Sequence, residues 1–217
     1  MPIGSGSGSR NDFSVMTIWR GADSVILASQ SGARKMLLAN AGIDFEAFPA
    51  DIDERAVQKD SGLTAPGEIA LLLACEKARF VSSQNPSRYV IGADQTLALG
   101  SRLFSKPSGR TQAAEQLGAL AGTTHELHSA VAVAHGDKIL FSDVSVARMT
   151  MRALSGTEIE AYLDQAGEAV TSSVGAYQLE GLGVHLFERI EGDHFTILGL
   201  PLLPLLAFLR GERLLSV

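Results

Sequence analysis

The spacing of apolar residues changes along this chain and marks out its elements. Val25-Ile26-Leu27-Ala28 is an uninterrupted apolar run, the pattern of a strand covered on both faces. From Arg34 to Ala41 the apolar positions Met36, Leu37 and Ala41 take helical spacing, with Ser31 as the N-cap and Gly42 as the stop. Phe45 to Phe48 reads as a short strand closed by Pro49, and an acidic loop with Asp51, Asp53 and Glu54 follows. Pro66 near a first helical position opens a long apolar helix towards Ser83. Tyr89 to Leu99 is a strand turned back by Gly100-Ser101, and Thr111 to Ala121 is a helix. Two long strands, His125 to Ala134 and Lys138 to Met151, are joined around Gly136. Ser155-Gly156-Thr157-Glu158 is a capping box for a helix to Ala166. A glycine-rich segment from Gly175 to Gly183 precedes a predicted hairpin centred on Glu191-Gly192-Asp193, and Leu202 to Leu209 closes the chain as a helix.

Strands and helices alternate early and hairpins dominate late, so the sheet is expected to be mixed. The fold class is α/β: a single domain over residues 23–213 with a mixed, twisted sheet and a central cleft. Gly4 to Ser9 alternate Gly and Ser, and residues 1–22 are expected to form a flexible tail in which Met16 offers a second start.

Charge narrows the class of partners. Eighteen basic and 24 acidic residues leave a net charge of −6, which argues against a polymeric nucleic-acid ligand. The stretch from Ile197 to Leu209 holds Pro201 and Pro204 and is too short to cross a bilayer, so no membrane is expected. Cys75 is the single cysteine, in an apolar helical run, and reads as a core residue in a reducing, cytoplasmic setting.

Within this acidic chain, a few groups stand where their chemistry is conspicuous. Arg34 and Lys35 occupy the first turn after Ser31, where the helix dipole disfavours cations unless an anion lies among them. The alternative is that both point into solvent. Asp94 follows Val90-Ile91-Gly92-Ala93, and a carboxylate beside such a run is expensive to bury without a cation, metal or base. A strand-end Asp bonded to backbone is its plainer reading, as a solvated loop charge is for Glu54. Lys77 lies in a largely apolar helix, and Lys106 is held extended by Pro107. Together these are the ingredients of metal-assisted phosphoryl chemistry. Neither a P-loop nor a Gly-x-Gly-x-x-Gly fingerprint is present, nor a serine-hydrolase elbow. His125 and His128, three apart on a strand, face opposite sides and do not share a metal.

The ordered matches Leu27-Ala28-Ser29-Gln30-Ser31, Asp53-Glu54, Glu76-Lys77-Ala78, Ile91-Gly92-Ala93-Asp94-Gln95 and Lys106-Pro107 resemble the Maf family of nucleoside triphosphate pyrophosphatases. So do Gly175-Ala176-Tyr177, Gly181-Leu182-Gly183, Ile190-Glu191-Gly192-Asp193 and Gly199-Leu200-Pro201. The resemblance covers about Val25 to Arg210 and implies an ITPase-like fold and hydrolysis of a nucleoside triphosphate to the monophosphate and pyrophosphate. It implies that Ser29, Ser31, Arg34, Lys77 and Lys106 bind phosphate, and that Glu54 and Asp94 hold Mg²⁺ or Mn²⁺. Asp94 would also be the proton acceptor. Ala33, Gln95 and Glu180 fall at the positions that govern base choice. Gln95 and Glu180 are similar to the 7-methyl-GTP branch, whereas Ala33 and Gly32 replace its Trp and Pro, which loosens the pocket. A homodimer is a further implication. The family's name also implies an alternative, a nucleotide-binding regulator of septum formation and cell division with incidental or no turnover.

Overall fold

A computed structural model describes residues 18–217. Its seven strands and seven α-helices form one α/β domain around a mixed sheet ordered β2-β1-β3-β5-β6-β7, with β4 paired to β3. The strands β1 (Val25–Leu27), β2 (Phe45–Ala47) and β3 (Tyr89–Leu99) are mutually parallel through β1. The strands β4 (Arg102–Phe104), β5 (Thr124–His135), β6 (Lys138–Met151) and β7 (Phe187–Glu191) add antiparallel pairings. The sheet is open, not closed into a barrel.

The cleft follows from strand lengths. β1 pairs with β3 only as far as Leu27↔Ile91, and β4 pairs with it only from Leu97. On that edge, residues 92–96 of β3 have no strand neighbour, while β5 continues on the other side with Asp94↔Ala130. The long central strand therefore carries Asp94 out between two partial neighbours, and the loops leaving β1 and entering β4 border the gap. One apolar core packs α1 (Gly32–Asn40) and α7 (Leu202–Gly211) over β1 and the first half of β3. A second gathers α4 (Arg110–Leu120), α5 (Gly156–Ala166) and the far half of β3.

The helix α3 (Pro66–Gln84) lies unusually close to the sheet. Ala70, Ala74 and Ala78 face Ala130, Ala132 and Ala134 of β5, and at the crossing β3 has no side chain at all. A Cβ on Gly92 would sit 2.1 Å from the Ala74 carbonyl oxygen and 2.7 Å from the Ala78 nitrogen. Alternation along a strand puts Gly92 and Asp94 on one face, so α3 presents Lys77 to Asp94 as a consequence of the close approach.

Three sequence expectations need correction. Glu54 is not in an acidic loop: Asp53 caps a helix, α2 (Glu54–Ser61), by accepting from the Ala56 amide at 3.0 Å. Polar residues on every face but one hid this short helix from a reading based on apolar spacing. No hairpin forms around Gly192. β7 ends at Glu191, and Asp193 caps the four-residue α6 (His194–Ile197) through the Phe195 and Thr196 amides. Ile18 and Trp19, expected in the tail 1–22, belong to the fold instead: Trp19 is buried and bridges to Leu215, while Ser216 donates to the Ile18 carbonyl. That pairing extends the fold beyond residue 213 as well. The flexibility expected before Ile18, Met16 included, lies outside the described residues. Among the described residues no helix is long and apolar enough to cross a membrane.

Candidate active site

All ten candidate residues from the sequence line one cleft of about 750 Å³. At its floor Lys77 Nζ lies 2.6 Å from Asp94 Oδ1 and 2.7 Å from Glu54 Oε1. Lys77 and Asp94 are each only 8% exposed, whereas the Glu54 side chain is 52% exposed at the start of α2. The Asp94–Lys77 contact is thus a desolvated ion pair, of the kind whose disruption costs about 3–5 kcal/mol. Burial raises the Asp94 carboxyl above the usual carboxylate range, against the opposing pull of Lys77 and Arg34. A raised pKa with the proton site facing a cleft suits a general base better than a structural Asp.

Arg34 is turned inward. Its Nε donates to the Gly199 carbonyl at 2.7 Å, and its Nη1 to the Ala93 carbonyl at 2.8 Å and Ser29 Oγ at 3.1 Å. Burial lowers its pKa, opposed by the charges of Asp94 and Glu54; a guanidinium nevertheless keeps its proton. Three contacts lock the fork, and among the described residues Nη2 has no hydrogen-bond partner. Gly199 has φ +86, and a Cβ there would meet Arg34 Nη2 at 3.3 Å, so glycine is needed for this approach. Ser31 caps α1 by accepting from the Arg34 amide at 3.4 Å, and its own amide donates to Ser29 Oγ at 3.3 Å. The first-turn cation therefore organises the cleft wall, while Lys35 does not line the cleft.

Gln95 is more constrained than an adaptable amide. Its Nε2 donates to Ser129 Oγ at 2.8 Å and lies 3.1 Å from both the Thr196 and Ile197 carbonyls. Ser129 Oγ donates its own proton to Thr196 O at 2.6 Å, so all three partners accept. The amide orientation is set by them, and only Oε1 is left over. Lys106 and Glu180 are exposed on two separate cleft-lining loops.

Apolar periodicity passed over other lining residues. Arg55 and Gln58 reach the cleft from α2, and recognising Asp53 as an N-cap would have placed them. Tyr177 lines it too, and its hydroxyl pairs at 2.7 Å with His125 Nε2 in the interior. His128 instead pairs with Glu126 at 3.0 Å, in keeping with opposite faces for the two histidines. Burial pushes the His125 pKa down to about 4. Its unfolded counterpart takes a proton near 6.5, so the unfolded state binds more protons between these values and stability falls with acidification. Between pH 7 and 5 this amounts to about 2 kcal/mol. Thermal denaturation of His125→Gln should show a correspondingly flatter pH dependence than the wild type.

For a metal, the donor set is two carboxylates. Among the described residues no group of three His, Cys, Asp or Glu gathers. Hard oxygen donors in small number fit Mg²⁺ or Mn²⁺, which complete their shells with water and substrate phosphate.

The chain as a whole is similar to known proteins. The family profile described as "Maf-like protein" matches residues 24–212. A "Nucleoside triphosphate pyrophosphatase" of Bradyrhizobium diazoefficiens is 70% identical over 202 residues, 93% of this chain and 100% of its own. One of the same name from Nitrobacter winogradskyi is 66% identical with the same coverage. A "7-methyl-GTP pyrophosphatase" of Brucella abortus is 52% identical over 192 residues, 87% of this chain and 96% of its own. Among solved structures, a HAM1 protein from Coxiella burnetii is similar with a TM-score of 0.39 and 17% identity, covering 59% of this chain and 72% of that one. On the family match and these identities, the chain belongs to the Maf-like protein family.

Proposed function

We propose that this enzyme hydrolyses a nucleoside triphosphate to the monophosphate and pyrophosphate, preferring 7-methyl-GTP or related guanine-type bases. The observation that carries the reading is the buried Lys77–Asp94 pair, 2.6 Å long, at the floor of a cleft bordered by cations. The names of relatives at 70% and 66% identity support the reaction class, and the relative at 52% supports the base. The cell-division regulator is the weaker reading, since a binding protein gains nothing from a carboxylate held at raised pKa in its cleft.

Lys77 occupies Asp94 Oδ1, so Oδ2 is the oxygen that accepts a proton from the attacking water. The water oxygen bonds to the α-phosphorus as the bond to the bridging oxygen breaks and pyrophosphate departs. Lys106, Arg34 Nη2 and the serines at the start of α1 bind phosphate oxygens and balance their charge. Mg²⁺ or Mn²⁺, held by Asp94 and Glu54 together with the substrate, would supply further neutralisation of the phosphate oxygens. Chelation with EDTA should therefore abolish pyrophosphate release, and added Mg²⁺ or Mn²⁺ should restore it.

Base choice rests on two acceptors. Gln95 has its Nε2 committed and offers Oε1, and Glu180 offers a carboxylate. Acceptors of this kind match the N1–H and exocyclic amine of guanine, and the charge suits a cationic methylated base. Ala33 leaves the pocket loose, so the preference over dTTP and UTP is expected at ~10-fold, about one good polar contact. Measuring kcat/KM for 7-methyl-GTP, GTP, dTTP and UTP tests this, with Glu180→Gln expected to narrow or reverse the order. A wild type preferring dTTP or UTP would overturn the assignment of Glu180. A cytoplasmic location and two-fold association complete the proposal, and a monomeric mass in sedimentation at micromolar protein would remove the second.

A further inference from the structure

One buried polar side chain outside the proposed substrate contacts grips two cleft-lining segments at once. Gln116, in α4, is 4% exposed among apolar neighbours such as Ala113, Leu117 and Leu120. Its Nε2 donates to the Ser105 carbonyl at 2.8 Å, immediately before Lys106. Its Oε1 accepts the Gly175 amide at 3.1 Å, two residues before Tyr177 and five before Glu180. A carbonyl can only accept and a backbone N–H can only donate, so the two partners define the orientation of the amide. A helix face built for packing alone would carry Leu or Met here, since an amide in this place needs both partners to offset its desolvation.

Both gripped segments depend on such a hold. Gly175 and Ala176 adopt φ of 78 and 62, and L residues rarely adopt the conformation of the second. A Cβ on Gly175 would lie 2.6 Å from Leu97 Cδ1. Tyr162 of α5 donates to the Ala176 carbonyl at 3.2 Å, leaving Gln116 as the side chain that holds the adjacent amide. On the other segment Lys106 is exposed, with no ion pair among the described residues, so its backbone alone fixes where the side chain leaves the loop. That backbone is pinned on one side by Gln116 at Ser105 and on the other by the buried Pro107.

We propose that Gln116 is a positioning residue that couples the phosphate-binding arm at Lys106 to the base-reading arm from Tyr177 to Glu180. This rests on the reading of Lys106 as a phosphate ligand. Each arm then depends on the other through a single amide, so triphosphate grip and base choice change together when that amide is lost.

The test is a mutant cycle of Gln116→Met with Lys106→Ala, read as kcat/KM on two triphosphates that differ in base, with thermal midpoints alongside. Met keeps the length and removes both hydrogen bonds. Gln116→Asn keeps the amide but is one methylene too short to span both partners, and it carries the same cycle should the Met variant not fold. Either variant is expected to lower kcat/KM ~10-fold, mainly through KM, and to shift the ratio of the two substrates by ~3-fold. In the Lys106→Ala background the same change should cost only the ~3-fold that passes through the base-reading arm, because the phosphate-binding target is gone. Equal losses in both backgrounds would overturn the coupling and leave the role of Lys106 standing. A lowered thermal midpoint with unchanged kcat/KM would make Gln116 a packing residue only. Full activity in Lys106→Ala alone would remove the phosphate reading itself, and the coupling with it.

Discussion

Asp94→Asn is expected to fold and to bind triphosphate while losing about 10²–10⁴ of kcat, the usual span for removal of a general base. Asn keeps an oxygen for the Lys77 ammonium, which also retains Glu54 at 2.7 Å, so the buried cation is not stranded. KM should rise at limiting Mg²⁺ and recover at saturating Mg²⁺, since the change weakens one of the two carboxylates proposed to hold the metal. Single-turnover pyrophosphate release and calorimetric binding of a non-hydrolysable analogue separate the two effects. Wild-type-like turnover would end the assignment of Asp94 as the base. The raised pKa gives a second readout. Because burial favours the protonated carboxyl, the acid limb of kcat/KM should lie above the ordinary Asp value of about 3.9. Lys77 is the first of the groups opposing that rise. Lys77→Met should therefore move the acid limb to still higher pH, as well as weakening activity. A limb that stayed in place would mean that the titrating base is another group.

How far this site could be read from residues alone depended on the kind of signal. Ser31 and Ser155 declared their helices because a capping side chain is a local event, visible as a residue type beside a periodic run. Asp53 sent the same signal but had no apolar run behind it, so α2 was missed and Glu54 was placed in a loop. Gly192 and Asp193 resembled a turn between strands, yet the Asp193 carboxylate satisfies helix amides instead. Nothing in the local pattern distinguishes those two uses of Asp. The chemistry of the cleft was legible where burial is itself a cost: Asp94 after four apolar or small positions called for a cation, a metal or a base, unless it was a strand-end Asp bonded to backbone. That the cation is Lys77, seventeen residues earlier, depends on how closely a helix packs on a strand, which spacing does not encode. The first-turn cations were conspicuous, but their division of labour was not. Arg34 donates to carbonyls of β3 and of the segment after α6, contacts separated by 59 and 165 residues.

That close packing is where the smallest substitution should have the widest effect. Gly92→Ala adds one methyl group at a point 2.1 Å from the Ala74 carbonyl oxygen, a backbone atom of α3 that no rotamer change can move. Relief requires α3 to back away from β3, opening the alanine-lined contact with β5 along its length. Overpacking of this kind is expected to cost about 3 kcal/mol, or roughly 6–12 °C in Tm for a domain of this size. The same displacement carries Lys77 away from Asp94, so activity measured well below the lowered Tm should fall by more than ~10-fold, with Asp94 left without the ammonium that fixes its Oδ1. Gly118→Ala is the matching control. It lies in the interior of α4 with nothing within 4 Å of an added methyl, and there alanine's helix preference should stabilise by about 0.5–1 kcal/mol without touching kcat. If Gly92→Ala kept both Tm and kcat, α3 would have room to spare over the sheet, and the glycine would not be what brings the lysine to the carboxylate. Loss of Tm with kcat intact would separate the two claims, leaving the glycine as a packing requirement and Lys77 held in register by its other neighbours.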